Sequence, residues 1–216
     1  MKTNAVRWIA AAAACCLLAG TGVFAAGRIA SVRSQIDRQE STGEIEDIGA
    51  LAGEAGFSIL YREAFANGFV FREGGLSRES GEDADGKPAA SWNSIWLSYE
   101  DDRGRSLSVS AEEAMHVPQD LEAQALEART AGNTRILYNC TTYHFVPADY
   151  EASEEELERR KTDPHYALTY GAEKESLQTC ENVAFETDGI RYVFVTFDGL
   201  GMEELFAMAE ELLAGE

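Results

Sequence analysis

The strongest pattern of apolar and polar positions lies at the C-terminal end of the chain. Residues 177–185 and 190–197 are rich in β-branched and aromatic side chains, and Thr187-Asp188-Gly189 between them supplies the positive φ angle that a tight hairpin needs. An apolar stripe with helical spacing follows, and glutamates occupy the opposite side. The pattern predicts a β-hairpin and then a terminal amphipathic helix. The stripe comprises Met202, Leu205, Phe206, Ala209, Leu212 and Leu213, and the glutamates are Glu203, Glu204, Glu210 and Glu211.

The middle of the chain has the patterns of further strands. Residues 92–100 alternate in polarity, residues 101–104 supply a turn, and Leu107 and Val109 continue the alternation, which predicts a second hairpin. Asn67-Gly68 is a turn signal in a short aromatic run. Residues 136–146 and 166–170 have strand composition.

Two shorter helices are predicted between these strands, together with two irregular regions. Residues 44–55 form one helix that ends at Gly56, and residues 153–160 form another with Ser153 as N-cap. The Gly-, Asp- and Ser-rich residues 77–90 indicate a mobile loop, and residues 111–131 indicate a loop or a weak helix. Strands in the middle with helices at the ends favour an α+β fold, an antiparallel sheet packed by amphipathic helices on one face.

Residues 8–27 contain twenty consecutive uncharged residues between Arg7 and Arg28. As a helix this segment would be about 30 Å long, which matches the hydrocarbon thickness of a bilayer. The preferred interpretation is an uncleaved transmembrane helix. The alternatives are a signal peptide cleaved after Ala25 and a lipoprotein modified at Cys15, although Cys15 lacks the preceding Leu-rich box.

This segment divides the chain into a short cytoplasmic head (1–7), the transmembrane helix (8–27), a partly helical stalk (28–43) and an acidic α+β domain (44–216). Lys2 and Arg7 favour a cytoplasmic N-terminus, whereas Arg28, Arg33 and Arg38 oppose it. We expect a single-pass protein of the cell membrane with its acidic domain outside the cytoplasm.

The charge of the chain limits its partners. The formal net charge is −20, and because the first 28 residues carry three positive charges and no negative ones, the remainder carries −23. Nucleic acids and anionic lipid surfaces would be repelled by this charge. We therefore expect no nucleic-acid partner.

Four stretches resemble a known group of proteins: AFANGFVF (64–71), YHFVPADYEASEEE (143–156), ALTYG (167–171) and residues 181–213. They are similar to extracytoplasmic domains of unknown function in single-pass membrane proteins of Gram-positive bacteria, and to C-terminal domains of anti-sigma-factor-like proteins. The resemblance implies a membrane anchor and an antiparallel α+β domain with no established activity. A seven-residue head leaves no room for a sigma-binding module, so signalling would require an unknown protein partner in the envelope.

Two of the four cysteines, Cys140 and Cys180, fall in separate predicted strands. Outside the cytoplasm they could form a disulfide if their Cα atoms lie within about 7 Å; the alternative is two buried free thiols. Cys140 and His144 lie on the same face of one strand, but without a Cys-x-x-Cys pair they do not suggest zinc, and no metal site is expected.

No catalytic or cofactor motif stands out. His116, His144 and His165 are scattered; His144 with Asp149 and a serine could form a triad, but no nucleophile-elbow motif is present. We expect no catalytic residue and no cofactor. The predicted function is a membrane-anchored interaction or sensory module. The alternative is an envelope protein that binds a small apolar or peptide ligand, and a secreted hydrolase is a more distant one.

Overall fold

The computed structural model describes residues 31–82, 85, 87–115, 122 and 125–215. These residues form an α+β fold with one large sheet and three helices. The strands are β1 (Ser31–Thr42), β2 (Val70–Glu82), β3 (Pro88–Glu100), β4 (Ser106–Glu113), β5 (Glu127–Ala131), β6 (Thr134–Val146), β7 (Tyr166–Tyr170), β8 (Ser176–Thr187) and β9 (Ile190–Thr196). The helices are α1 (Ile48–Ala55), preceded by a 3-10 turn (Ile45–Asp47), α2 (Glu154–Thr162) and α3 (Met202–Ala214).

The predicted transmembrane segment, residues 8–27, lies outside the described residues, as do Cys15 and the cleavage position after Ala25. Within the part of the chain that is described, no helix is both long and apolar enough to cross a membrane.

The strand order is β1-β2-β3-β4-β9-β8-β6-β5, and β7 also pairs with β6. β6 pairs with β8 over most of its length, while β5 pairs with its first half and β7 with its second half. The β6–β7 pair is parallel because the chain returns through α2, and the other strand pairs of the described sheet are antiparallel. The predicted antiparallel sheet is therefore a mixed, mostly antiparallel one.

Both predicted hairpins are confirmed. In β8–β9, Thr187 pairs with Ile190, and the two turn residues have positive φ angles, 50° at Asp188 and 79° at Gly189. A turn of this kind matches the right-handed twist of the strands. In β3–β4, the Asp101 carboxylate accepts hydrogen bonds from the backbone N–H groups of Arg103 and Arg105 and closes the turn.

Three local predictions are wrong. Residues 31–39 are not helical but belong to β1, which pairs with β2 from Ser31 opposite Glu82 onwards. Most of 77–90 is not a loop, since β2 extends to Glu82 and β3 begins at Pro88. The 111–131 region contains the end of β4 and all of β5, so the prediction of a loop or weak helix is wrong at its two ends, whereas Glu122 is helical and residues 116–121 and 123–124 lie outside the described residues. In each case pairing with a neighbouring strand overrides a weak local preference. The division into a stalk and a domain at residue 43 stays a prediction, although β1 is part of the sheet.

All three predicted helices are confirmed. Gly56 ends α1 in the left-handed conformation, with φ of 100°. Ser153 caps α2, as predicted. α3 begins after Gly201, which has no side chain with which to cap the helix.

The helices share one face of the sheet. α1 and α3 pack on a continuous core that includes Ile136 and Tyr138 of β6. α2 contacts His144, which lies on the same face of β6 because the register of this strand with β8 has no bulge. The largest fully buried side chains are Tyr99, Tyr192, Phe69, Phe185, Phe194 and Phe206.

Arginines from three other segments hold the acidic side of α3. Arg105 donates to both Glu204 carboxylate oxygens at 3.1 and 3.2 Å. Arg129 contacts Glu203 at 2.7 Å and lies 4.4 Å from the Phe206 ring centroid. A third ion pair joins Arg62 to Glu211. Three of the glutamates predicted on the solvent side of the helix, Glu203, Glu204 and Glu211, are therefore paired with arginines.

The N-terminus of α3 receives its negative charge from the sheet. Glu181 of β8 is buried and accepts hydrogen bonds from the Gly201 backbone N–H at 3.1 Å and from the Tyr138 hydroxyl at 3.0 Å. A carboxylate at this position interacts favourably with the helix dipole. Glu181 therefore accepts from the N-cap backbone N–H, the bond that the third residue of a helix makes in a capping box.

We predict that Gly189→Val weakens the domain. An added Cβ would meet no atom within 4 Å, so the effect comes from the positive φ angle alone. A β-branched residue in this conformation costs about 1–2 kcal/mol, which lowers the melting temperature by about 2–8 °C in a domain of this size.

The matched control is Gly53→Val. Gly53 also has open space around it, but it lies in α1 at an ordinary helical φ. Thermal unfolding followed by circular dichroism should show little change for this control. Equal melting temperatures for the Gly189 variant and the parent protein would contradict the strain argument.

Candidate functional site

A polar cluster on the helical face of the sheet surrounds His144, near the end of β6. His144 is 7% exposed. Its Nε2 lies 2.8 Å from Oε1 of Glu175, and its Nδ1 lies 3.1 Å from both the Tyr166 hydroxyl and Oε1 of Glu156. We call these residues, with Tyr150, the His144 cluster.

A capping box positions Glu156 in this cluster. The Glu156 backbone N–H donates to the Ser153 hydroxyl at 3.2 Å, and the Ser153 backbone N–H donates back to Glu156 Oε2 at 2.8 Å. The other carboxylate oxygen, Oε1, accepts from the Tyr150 hydroxyl at 2.9 Å and faces His144. The same interactions that start α2 therefore direct a carboxylate at the imidazole.

The cluster accommodates the imidazole in two protonation states. With one proton, Nε2 donates to Glu175 and Nδ1 accepts from the Tyr166 hydroxyl. With two protons, Nδ1 donates to Glu156 instead. In either state both nitrogens have a protein oxygen within 3.1 Å.

The triad of His144, Asp149 and a serine is not assembled among the described residues. The side chains that hydrogen-bond to the imidazole are those of Glu156, Glu175 and Tyr166. His165 directly precedes Tyr166 in the chain, and among the described residues its buried Nδ1 has no hydrogen-bond partner. His116 lies outside the described residues.

The sequence contained a signal for only one of these partners. Ser153 and Glu156 have the S-x-x-E spacing of a capping box, which identifies Glu156. Glu175 is 31 residues from His144 and Tyr166 is 22 residues away, so only the β6–β7 and β6–β8 pairings bring them close.

The structure leaves both Cys140 and Cys180 as free thiols. They lie on adjacent strands, but Cys140 is opposite Glu181 and Cys180 is opposite Thr141. Directly opposed residues share a face, so the two cysteines project from opposite faces of the sheet. A disulfide between them stays a prediction that this arrangement does not favour.

A metal site at Cys140 and His144 is geometrically unfavourable. Four residues along a strand span about 13 Å, too far for two side chains to share one ion. The described residues contain no group of three or more His, Cys, Asp or Glu side chains placed to hold a metal.

The opposite face of the sheet carries a second polar network. Glu79 of β2 is 5% exposed and accepts hydrogen bonds from the hydroxyls of Ser77 and Ser94 at 2.8 Å each. Trp92 Nε1 donates to Glu112 at 2.6 Å. These contacts join β2, β3 and β4 side by side on the face away from the described helices.

A recess of about 390 Å³ lies between α3 and the segment before β2. Pockets for small ligands have volumes of this order, but they are mostly apolar. Here Arg62 and Glu211, paired at 3.4 Å, stand in the lining. The recess is therefore a weak candidate for an apolar ligand.

Comparison of the chain with family models, with curated proteins and with solved structures finds no match. The resemblance to extracytoplasmic domains and to anti-sigma-factor-like proteins stays a prediction from the residues quoted above.

The carboxylate of Glu156 should make the stability of the domain pH-dependent. Hydrogen bonds from the Ser153 backbone N–H, the Ser153 hydroxyl and the Tyr150 hydroxyl lower the pKa of Glu156 below its ordinary 4.5. Folding is therefore favoured by this group above pH 4.5, and the contribution is lost as the pH falls through the folded-state pKa. Glu156→Gln should unfold at lower denaturant concentration than the parent at pH 7, with the difference shrinking towards pH 3.

Glu154→Gln is the control for this experiment, because Glu154 is exposed in the same first turn of α2. Urea unfolding of both variants and the parent protein is measured at several pH values. A loss of stability found only in the Glu156 variant comes from the capping interactions, whereas a loss shared with the Glu154 variant comes from the removal of a negative charge. The interpretation fails if the Glu156 variant keeps the same deficit at pH 3 as at pH 7.

The two cysteines should differ in reactivity. Burial raises the pKa of Cys180 to about 12, and its side chain is inaccessible. Since the thiolate is the reactive form, Cys180 should resist alkylation in the native protein and react after unfolding, whereas half-buried Cys140 should react first. Peptide mass mapping of the alkylated protein, with and without prior reduction, measures which of the two cysteines has reacted. A Cys140–Cys180 peptide in the unreduced sample would show instead that the two pair.

Proposed function

We propose that this chain is a membrane-anchored module whose acidic α+β domain lies outside the cytoplasm and takes part in protein interaction or sensing. The observation that carries the proposal is the uncharged segment 8–27, which ends four residues before the first strand of a folded domain. Twenty residues of this kind are long enough to span the hydrocarbon layer.

The hydrogen-bond partners of the His144 imidazole are Glu156, Glu175 and Tyr166, so the described residues do not assemble the triad of His144, Asp149 and a serine. For this reason we propose an interaction role for the domain rather than hydrolysis. The charged lining of the recess near α3 likewise favours a protein partner over a small apolar ligand.

Exposed apolar side chains near the His144 cluster mark a region where a partner protein would bind. Leu177 lies opposite His144 on β8 and is 68% exposed. Tyr170 lies opposite Val146 on β7 and is 43% exposed. The two side chains lie on either side of β6 near the same end of the sheet, and we propose this end as the binding region for a partner protein.

The proposal is tested by fractionating cells that produce the full chain. We expect the intact chain, with its first residues present by mass spectrometry, in membranes that have been washed with alkaline carbonate. Protease added to spheroplasts should remove the domain. The variant Leu18→Arg should reduce membrane retention, because a central arginine opposes insertion by about 2.5–3.5 kcal/mol.

Leu18→Ile is the matched control and should remain in the membrane fraction. An N-terminus at Ala26 would identify a cleaved signal peptide instead of an anchor. Recovery of the full-length chain in the soluble cytosolic fraction would refute the proposal.

A further inference from the structure

The first strand fixes one end of the sheet next to the predicted anchor. β1 begins at Ser31, which pairs with Glu82 at the end of β2, and the register continues through Ser34 opposite Glu79. Glu82 in turn pairs with Pro88 at the start of β3. We call this part of the sheet, with the described residues Asp85 and Lys87, the anchor end.

The chain between the predicted membrane segment and β1 is short. Four Cα–Cα steps separate Gly27 from Ser31, and a fully extended chain spans at most about 14 Å over that length. If segment 8–27 ends at the lipid surface, Ser31 and its partner Glu82 lie within this distance of it. This step rests on the proposed function.

The other end of the same strands is far from the anchor end. β3 contains 13 residues, so Pro88 and Glu100 are roughly 40 Å apart along the strand. Neighbouring strands rotate by about 20–25°, so β1 and β3, two strands apart, differ by about 40–50° and still begin at the same end of the sheet. The β3–β4 turn around Arg103, which follows Glu100, therefore lies well away from Ser31.

We propose that the anchor end contacts the surface of the phospholipid bilayer and that the β3–β4 turn points away from it. The long strands β2 and β3 then stand upright on the membrane. At this end the exposed Lys87 and Asp85 form an ion pair with 3.7 Å between its charged atoms, and Glu82 adds a further carboxylate. The acidic remainder of the domain is kept off the lipid.

The experiment uses the full chain in phosphatidylcholine vesicles, with photoreactive benzoylphenylalanine in place of Asp85 or, as matched control, of Arg103. Both positions are exposed. After illumination, mass spectrometry should find lipid adducts at position 85. It should find no lipid adduct at position 103. The same substitution at Lys87 provides a second anchor-end position that should also give adducts.

The outcomes separate this inference from the proposed function. If the chain floats with the vesicles but position 103 gives as much lipid adduct as position 85, the sheet lies flat and the inference is overturned. If position 103 alone reacts, the orientation is reversed. A chain that does not float with the vesicles overturns the proposed anchor, and the inference with it.

Discussion

The fold depends on the packing of α3 across the sheet. Its apolar stripe, with Leu205, Phe206 and Leu212 buried, packs on the face that β5, β6 and β8 share. Its glutamates reach towards the other half of the molecule, where Glu204 pairs with Arg105 at the start of β4. Hydrogen bonds from Asn67 to Glu204 and from Ala66 to Glu211 add the segment before β2. One helix therefore holds both halves of the sheet together.

Several arginines of this acidic protein pair with carboxylates of the same domain. Arg105 pairs with Asp101 and Glu204, Arg129 with Glu203, and Arg191 with Glu186. Arg159 pairs with Asp163 and lies 4.2 Å from the Tyr166 ring centroid. With these positive charges already engaged by carboxylates, the surface that a partner meets is dominated by acidic groups.

The elements that were predictable are those whose signals are local. Gly189 and Gly56 mark a hairpin and a helix end because each occupies a left-handed conformation. Ser153 identifies the start of α2 and, through the capping box, one member of the His144 cluster. These signals act within four residues, so no tertiary information is needed to interpret them.

What was missed depends on contacts between distant segments. Residues 77–82 look like a loop because they are polar, yet Ser77 and Glu79 are buried in hydrogen bonds that include Ser94 of β3. The full His144 cluster requires Glu175, which only the β6–β8 pairing brings into reach. Hydrophobic periodicity carries no information about such polar pairings.

The pairing of β4 with β9 has a consequence for how the chain folds. Among the described residues, strands β1–β4 pair only with one another and strands β5–β9 only with one another, except at this seam, where Ser110 lies opposite Val193. The domain is thus two consecutive stretches of chain that each form their own pairings, and the loop-closure entropy of joining them is concentrated at a single pair of strands. Assembly of the two stretches is the non-local step that should limit the folding rate.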